Sequence, residues 1–570
     1  MVAGDRSVST VPDIQDSTVA PTDTRRARPD PRRPSKRRYR VLAALAGGAL
    51  AALSLPPWGW WILAFPATGI AYLALDGLRW KARFTVGWAF GLGMLVPGLW
   101  WSFTFNVYGG CVLMVAEALF LAVAATAVPS KGARILALPA AMVLAEYFRE
   151  RWPFGGLPVG GIELGQAASP LGATSRVGGP LLIVWLVWLS GCGLAILCLS
   201  FWPRLRHRFE NAEPAGSTRS TITPASSLRR VARCPGTLRE RTCRSMVVGS
   251  AALAVVVIVS VLAAVAPDGG PPTGHLRVAS VQGGGRRGTI ALQVNPLTVF
   301  YAAVDATEEI PHLDKGKPPQ LIVWPEDTVA LYGHLRGSEH ELILQSLARS
   351  LHATLEAGVT EPVGSTRFEN FSVAFSPTGK IVSRYEKIHR VPFGEYVPYR
   401  SFFKHLANLK DIPRNAIPGH GPAILNTPAG KFGIMISFET FFARRGRAAT
   451  REGGRLLLVP TNTNSYAASQ MPSQEIAASR LRAIEEGRDL VQSAPTGYSA
   501  LINNQGQVMQ LSTLAKRQVL IGDVALRNGA TLYERFGDLP ILIIAILSLL
   551  VAWGLEVDRR LRKKRRKISK

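Results

Sequence analysis

The sequence predicts a polytopic α-helical membrane domain that carries a separate α/β domain on the outer face of the bilayer. Hydrophobic residues occupy 47% of the 570 positions, and the mean hydropathy is +0.15. Many of them fall in runs close to the ~20 residues that span the hydrocarbon core. The stretch 267–538 is instead more polar, and short apolar strands alternate there with amphipathic segments. That alternation is typical of an α/β domain.

About eight apolar runs are predicted to cross the membrane. They lie at 41–55, 60–76, 84–105, 111–128, 133–148, 179–202 and 247–266, and after the α/β domain at 539–554. The first run is short and ends at Pro56-Pro57, which favours one arm of a hairpin. The sequence therefore predicts a membrane domain at 41–266, the α/β domain at 267–538 and a last span at 539–555.

The net charge of +27 lies mainly beside the predicted spans. Three basic stretches fall on one side of the bilayer in this arrangement: the end of a disordered tail at 1–40, the connection 203–246 and the tail 556–570. Because positive loops stay in the cytoplasm, both termini are predicted to be cytoplasmic and the α/β domain extracytoplasmic, in the plasma membrane. This placement accounts for the charge without a nucleic-acid partner.

The five cysteines, at positions 111, 192, 198, 234 and 243, all lie outside the stretch 267–538. The α/β domain is therefore predicted to have no disulfide, no thiolate metal site and no thiol nucleophile. The sequence also has no HExxH or phosphate-loop motif, so neither a metal nor a cofactor is expected.

Several elements of the α/β domain are predicted from their pattern. Buried strands are expected at 276–282 and 321–326, and FSPTGKIV (375–382) indicates a hairpin with its bend at Pro377 and Gly379. Amphipathic helices are expected over ELILQSLARSLHATL and over 474–488. Periodicity predicts stacked sheets with helices outside, but leaves their topology open.

Polar side chains at three predicted strand ends form a chemically suggestive set. LIVWPED carries Glu326, RYEKIHRVPFGEYVP carries Lys387 and Glu395, and KFGIMISFETFF carries Ser437 at a sharp turn. A carboxylate, an ammonium group and a hydroxyl suit acyl transfer, in which they act as base, oxyanion stabiliser and nucleophile.

These motifs, in this order, resemble the nitrilase-type hydrolases and in particular the apolipoprotein N-acyltransferase family. The stretches SLPPWGWWILAFP, MVLAEYFRERWPFGGLPVGG and GQAASPLG are similar to the span signatures of that family, so the resemblance covers roughly residues 41–555. It implies an αββα sandwich for the α/β domain. It also implies transfer of an acyl chain from a phospholipid, through an acyl-enzyme, to the N-terminal amine of a diacylglyceryl-cysteine lipoprotein.

The resemblance also assigns roles to individual residues. Glu326 corresponds to the proton acceptor, Lys387 to the group that stabilises the oxyanion, and Ser437 to the position of the nucleophile. Glu395 and Glu439 correspond to supporting acids. For these last two, a structural ion pair is a comparable interpretation.

Two further groups could take part in the chemistry. The backbone N–H of Phe438 could be a second donor to the oxyanion. His389 is an alternative base, because serine nucleophiles elsewhere use an imidazole.

Ser437 stands where the family has a cysteine, and Thr463, Ser465 and Glu475 also depart from the family pattern. A hydroxyl depends wholly on its base, whereas a thiol supplies thiolate readily. A second hypothesis is therefore a catalytically impaired paralogue that acts as a membrane scaffold. The resemblance implies one possible partner for such a scaffold, a polyprenyl-phosphate mannosyltransferase, which is a glycosyltransferase. A third hypothesis is a hydrolase that acts on a small amide.

Overall fold

The computed structural model describes residues 36–104, 107–201, 235–285, 294–314, 316–405, 409, 412–463 and 470–569. The predicted N-terminal tail up to residue 35 and the connection from 202 to 234 lie outside these residues, as does Ser465.

Two predicted boundaries were wrong. Residues 36–40 belong to the first helix, and residues 235–246 of the predicted basic connection begin a long helix that enters the membrane domain.

Helices occupy all the predicted apolar runs. They are α1 (Lys36–Ala52), α2 (Ala64–Ala74), α3 (Trp80–Gly98), α4 (Val107–Ala127), α5 (Arg134–Arg149), α6 (Ser175–Phe201), α7 (Pro235–Ala264) and, after the α/β domain, α15 (Leu539–Ile568). Helix α15 continues through most of the predicted tail 556–570. Among the residues that the structure describes, 4 helical stretches are long and apolar enough to cross a membrane, by length and composition: Val107–Ala127, Pro170–Phe201, Cys243–Ala264 and Leu539–Ile568. The protein thus has a membrane part, while the number of eight spans stays a prediction.

The described residues of the α/β domain form fourteen strands in two sheets. The strands are β1 (Gly274–Gln282), β2 (Leu321–Val323), β3 (Val329–Ala330), β4 (Thr354–Val363), β5 (Arg367–Phe375), β6 (Ile381–Glu386), β7 (Asn415–Ala416), β8 (Ile424–Thr427), β9 (Gly430–Ile434), β10 (Leu457–Pro460), β11 (Leu490–Ser493), β12 (Ala500–Ile502), β13 (Val508–Leu511) and β14 (Gln518–Leu526). The 8-stranded sheet runs β14-β1-β2-β4-β5-β6, with β3 beside β4 and β7 beside β5. The 6-stranded sheet runs β13-β12-β11-β10-β9-β8.

The remaining helices are short or lie on the faces of the sheets. They are α8 (Pro296–Glu308), α9 (Ile310–Leu313), α10 (Glu339–Ser350), α11 (Arg400–Phe403), α12 (Ala443–Arg451), α13 (Met471–Glu486) and α14 (Leu532–Phe536). Helices α10 and α13 confirm that the two predicted amphipathic helices exist, but the predicted end of the first was wrong, because Thr354 and Leu355 belong to β4. The predicted hairpin is also present as β5 and β6, and Gly379 takes φ 77° in its turn, a conformation that favours glycine.

Three buried clusters show that the domain has four layers. Val278 and Leu321 of the larger sheet pack against Ile434 and Leu458 of the smaller one. On the outer face of the larger sheet, residues such as Phe300 and Leu344 come from α8 and α10; on the outer face of the smaller sheet, Ala449 and Ala483 come from α12 and α13. The αββα sandwich is therefore confirmed.

The sandwich rests directly on the helical bundle. Phe438, Phe441 and Phe442 belong to the same hydrophobic cluster as the membrane helices. In addition, the Gln474 side chain donates a 2.8 Å hydrogen bond to the carbonyl of Gly98 at the end of α3. The segment that carries Ser437 thus forms part of the contact between the two domains.

Candidate active site

Lys387 lies between two carboxylates. Its Nζ is 2.7 Å from Oε1 of Glu326 and 2.5 Å from Oε1 of Glu395. The side chain of Asn370, on β5, donates to the same two acids over 2.9 and 3.3 Å. Glu326 follows β2 and Lys387 follows β6, so the sheet order brings these distant positions together. The predicted strand 321–326 was too long: β2 ends at Val323, and Glu326 lies in the irregular segment beyond Pro325.

Burial sets the electrostatics of this cluster. Glu326 is 3% exposed and Lys387 is 1% exposed. Burial raises the pKa of Glu326, and the neighbouring Lys387 ammonium offsets that effect only in part. Burial opposes the charged form of Lys387, but the carboxylates of Glu326 and Glu395 outweigh it and raise its pKa. The site therefore combines a permanent ammonium ion with a carboxylate whose proton affinity exceeds that of an ordinary glutamate.

Ser437 opens a tight turn directly after the inner strand β9. Its φ is 48°, in the left-handed region that non-glycine residues seldom adopt, and it begins the short 3-10 helix Ser437–Phe441. Ser437 is partly exposed, whereas the residues on either side of it are buried. Such a turn at the end of a buried strand presents a nucleophile to a cleft, and strain of this kind is concentrated at functional sites.

Glu439 joins the Ser437 turn to the segment that carries Lys387. Its carboxylate accepts hydrogen bonds from the backbone N–H groups of Ile436, Ile388 and His389, over 2.9, 2.9 and 3.0 Å, and from the Tyr385 hydroxyl over 2.7 Å. Although burial opposes ionisation, the hydrogen bonds and nearby cations lower the pKa of Glu439 to about 2. Glu439 thus acts as an ionised brace, which favours its structural interpretation.

Comparisons with known proteins agree with this geometry. The family model described as the apolipoprotein N-acyltransferase N-terminal domain matches residues 47–193, and the carbon-nitrogen hydrolase model matches residues 277–532. An apolipoprotein N-acyltransferase from Mycolicibacterium smegmatis is 28% identical over 89% of this chain and 84% of its own length. Most of the chain is therefore similar to apolipoprotein N-acyltransferases.

Two other proteins match over a smaller part of the chain. An apolipoprotein N-acyltransferase from Geobacter metallireducens is 34% identical over 224 residues, which are 39% of this chain and 43% of that protein. Among solved structures, Saccharomyces cerevisiae Nit3, a member of the nitrilase superfamily, is 17% identical, with a TM-score of 0.34 over 45% of this chain and 91% of its own.

Two polar residues near the site, Asn370 and Asp327, were missed by sequence reasoning. Asn370 lies mid-strand and has no motif that would single it out. Asp327, which directly follows Glu326, accepts a 3.2 Å hydrogen bond from Asn462, and burial together with the Glu326 carboxylate raises the pKa of Asp327 to about 8. Residues 370–375 of β5 are all buried, so the polar residue Asn370 at the start of that buried run was the available signal.

Glu475, recognised in the sequence only as a departure from the family pattern, is buried close to the same charges. Its Oε1 accepts a 2.5 Å hydrogen bond from Thr461. Burial raises the pKa of Glu475 to about 8, so at neutral pH this acid is largely protonated. It therefore adds a neutral carboxyl group to the surroundings of Lys387 and little negative charge.

The contacts of His389 do not suit a catalytic base. Its ring stacks on Phe442 with a centroid distance of 4.3 Å, its Nε2 lies 2.9 Å from an Arg444 nitrogen, and its Nδ1 lies 3.6 Å from Oε1 of Glu439. With Phe154 and Tyr396 it lines a cleft of about 180 Å³ between the α/β domain and the loop after α5. The geometry therefore assigns His389 to the wall of this cleft.

Proposed function

We propose that the protein is an apolipoprotein N-acyltransferase. It would take an acyl chain from a phospholipid onto Ser437 and pass it to the N-terminal amine of an S-diacylglyceryl-cysteine lipoprotein. The observation that carries the proposal is the position of Lys387, buried between Glu326 and Glu395 and tied through Glu439 to the strained turn at Ser437.

The first half-reaction forms the acyl-enzyme. Glu326 takes the proton of the Ser437 hydroxyl as Oγ attacks the ester carbonyl of the phospholipid. The ammonium group of Lys387 and the backbone N–H of Phe438 stabilise the oxyanion of the tetrahedral intermediate. When the intermediate collapses, the bond to the glycerol oxygen breaks, and Glu326 returns the proton to the departing lysophospholipid.

The second half-reaction uses the same groups in the same order. The lipoprotein amine attacks the carbonyl of the serine ester, Lys387 and Phe438 again stabilise the oxyanion, and Glu326 accepts the proton that the amine loses. Collapse of this intermediate breaks the bond to Ser437 Oγ, which regains a proton from Glu326. Because an oxygen ester is less reactive toward an amine than a thioester, this step is expected to limit the rate.

The proposed arrangement in the membrane follows the sequence prediction. The bundle would cross the plasma membrane about eight times, with both termini in the cytoplasm and the sandwich outside. Support comes from the sandwich, which lies where α7 ends and α15 begins, and from the basic sequence at the opposite ends of these two helices. Such an arrangement places Ser437 next to the outer leaflet, since its turn packs on the membrane helices.

A second candidate function is favoured by Ser437 itself. In a catalytically impaired paralogue, the sandwich and bundle would be retained as a scaffold, and a polyprenyl-phosphate mannosyltransferase is the partner predicted from the sequence. The complete Glu326–Lys387–Glu395 cluster favours the enzyme instead, because an unused buried charge cluster costs stability.

One experiment separates the two functions. The full chain is purified in detergent, supplied with phospholipid and a diacylglyceryl-cysteine peptide, and compared with the variants Ser437→Ala and Ser437→Cys. The enzyme predicts transfer by the wild type that is lost in Ser437→Ala and increased in Ser437→Cys. The surface variant Ser350→Ala, whose hydroxyl bonds only within α10, should match the wild type.

Two results would overturn the proposal. If the wild type and Ser437→Ala are equally inactive while Ser437→Cys transfers the chain, the site is intact but the natural protein is an impaired acyltransferase. If all three are inactive while their thermal unfolding is unchanged, the scaffold is favoured.

A further inference from the structure

Arg83, on α3, is a buried cation without a hydrogen-bond partner for two of its nitrogens. The residue is 6% exposed. Its Nε and Nη1 atoms are buried, and neither is hydrogen-bonded within the part of the chain that the structure describes. A guanidinium ion removed from water without compensating partners costs several kcal/mol.

Other buried arginines of the protein are paired. Arg149 bonds to Glu146 and to the carbonyls of Leu157 and Val159. Arg482 is 2.8 Å from Glu485. The fold therefore supplies acceptors where it buries a guanidinium group, which makes Arg83 an exception that needs a physical explanation.

Arg83 lies at the end of the bundle remote from the α/β domain. The charged groups that act on it are Arg134, Arg560 and Glu556. Helix α15 leaves the sandwich at Leu539, and Glu556 is 17 residues farther along that helix, about 25 Å at the rise of an α-helix. The site is thus separated from Ser437 by most of the thickness of a membrane.

The carboxylates at this end are already engaged. Asp76 forms an ion pair with Arg134. Glu556 accepts 2.8 Å hydrogen bonds from both Arg559 and Arg560. These two acids are therefore outnumbered by cations before Arg83 is counted, and the end of the bundle keeps a surplus of positive charge.

Charge, burial and position together indicate the missing anion. A guanidinium group matches a phosphate in geometry and charge, and basic pockets between membrane helices bind acidic lipid head groups. Trp80, one turn before Arg83, is 60% exposed, as expected of a tryptophan at a membrane interface. A lipid head group can reach such a place from the bilayer.

We propose that Arg83, together with Arg134 and Arg560, binds the phosphate group of an anionic phospholipid in the leaflet remote from the α/β domain. The bound lipid acts as a structural ligand that neutralises Arg83 and stabilises the bundle. This site is separate from the acyl donor and does not depend on the proposed acyl transfer.

The test is thermal unfolding of the full chain in detergent, with added phosphatidylglycerol, phosphatidylcholine or glycerol phosphate. Phosphatidylglycerol should raise the melting temperature of the wild type by at least about 2 °C, with smaller effects of the other two compounds. In Arg83→Met this rise should vanish. In Lys81→Gln, which removes an exposed charge from the same turn of α3, it should remain.

A second measurement compares the stability of Arg83→Met with that of the wild type in the absence of lipid. In lipid-free detergent Arg83→Met should be at least as stable as the wild type, because it removes an uncompensated buried charge. Lower stability of Arg83→Met there would mean that Arg83 is already paired within the chain, and would overturn the proposal. Arg83→Lys, which keeps the charge, should retain part of the response to phosphatidylglycerol.

Three further results of the lipid titrations would contradict the proposed lipid site. An equal rise in wild type and Arg83→Met would place the lipid elsewhere, and no rise with any compound would remove the site. An equal rise with glycerol phosphate would assign the site to a soluble phosphate compound in place of a lipid. Acyl transfer plays no part in these readouts, so failure here is distinguishable from failure of the proposed function.

Discussion

The carboxylate of Glu439 accepts a 2.9 Å hydrogen bond from the backbone N–H of Ile388, 51 positions away in the chain. Glu439 lies after β9 of the smaller sheet, and Ile388 lies after β6 of the larger sheet. Because Ile388 follows Lys387 and Glu439 closely follows Ser437, this bond sets the spacing between the proposed nucleophile and the proposed oxyanion-stabilising ammonium. The same carboxylate also accepts from Ile436, so both sides of the cleft are held by one side chain.

We expect Glu439→Gln to lower acyl transfer at least about 10-fold and to reduce stability, since a neutral amide cannot replace an ionised acceptor of several N–H groups. The pKa of Glu439 is about 2, so its contribution is complete above the ordinary glutamate pKa and is lost as pH falls toward about 2. When the free energy of unfolding is measured against pH, it should fall less steeply toward acid pH in the variant than in the wild type. Glu452→Gln changes an exposed acid after α12 and should behave as the wild type. If Glu439→Gln and the wild type lose stability equally toward acid pH, the ionised Glu439 carboxylate does not stabilise the fold in this way.

Replacement of Lys387 by methionine should reduce the rate of acyl-enzyme formation by about 100-fold or more, because the oxyanion loses its charged partner. The variant also leaves Glu326 buried without its cation, so the proton of Glu326 should be held to a higher pH. Quenched single-turnover assays with a labelled phospholipid measure the first effect. Lys380→Met, at the exposed hairpin turn, serves as the matched control; a similar loss in both variants would argue against a role for Lys387 in chemistry.

The rate of acyl-enzyme formation should increase with pH as Glu326 loses its proton. Burial raises the pKa of Glu326, so its protonated, inactive form persists to a higher pH than an ordinary glutamate near 4.3. A single-turnover pH profile should therefore have its midpoint above that value, and Glu326→Gln should be inactive throughout. Glu369→Gln, at a surface ion pair with Arg384, should leave the midpoint unchanged. A midpoint at or below 4.3 would exclude Glu326 as the base.

Glu356 should make the sandwich less stable as pH rises. It is 0% exposed, and burial raises its pKa to about 8. Folding therefore favours its protonated form: the stabilising contribution is complete below the unfolded pKa of about 4.3 and disappears as pH approaches about 8. Between these values Glu356→Gln should lose less free energy of unfolding than the wild type, and Glu308→Gln, an exposed acid on α8, should match the wild type. Parallel curves for Glu356→Gln and wild type would refute this assignment.

Gly179, at the kink of α6, should not tolerate alanine. Its φ is 66°, and an added Cβ would lie 2.3 Å from Cε2 of Tyr533 in α14. Gly179→Ala is expected to cost about 1–3 kcal/mol and to loosen the sandwich from the bundle. Gly554→Ala, where a Cβ meets no atom within 4 Å, is the control. Thermal unfolding and protease sensitivity of the junction measure the effect, and equal stability of the two variants would speak against close packing at this kink.

Local pattern was sufficient for much of the fold. Apolar runs of membrane length located the helices, and short β-branched runs located strands such as β1, because hydrophobic period and length are properties of neighbouring residues. The motifs that carry Glu326, Lys387 and Ser437 were also recognisable, since each lies at a strand end. The boundaries were less certain: the end of β2 was placed three residues too late because Trp324 is as buried as the strand itself.

The sequence by itself determined the class of protein, the alternation of strands and helices, and the residue types available for chemistry. Only the tertiary structure decided that Asn370 shares its amide between Glu326 and Glu395, that Glu439 bridges two segments, and that two buried nitrogens of Arg83 have no acceptor among the described residues. These contacts join positions separated by tens of residues. They depend on how sheets and helices pack together, and periodicity along the chain contains no information about that packing.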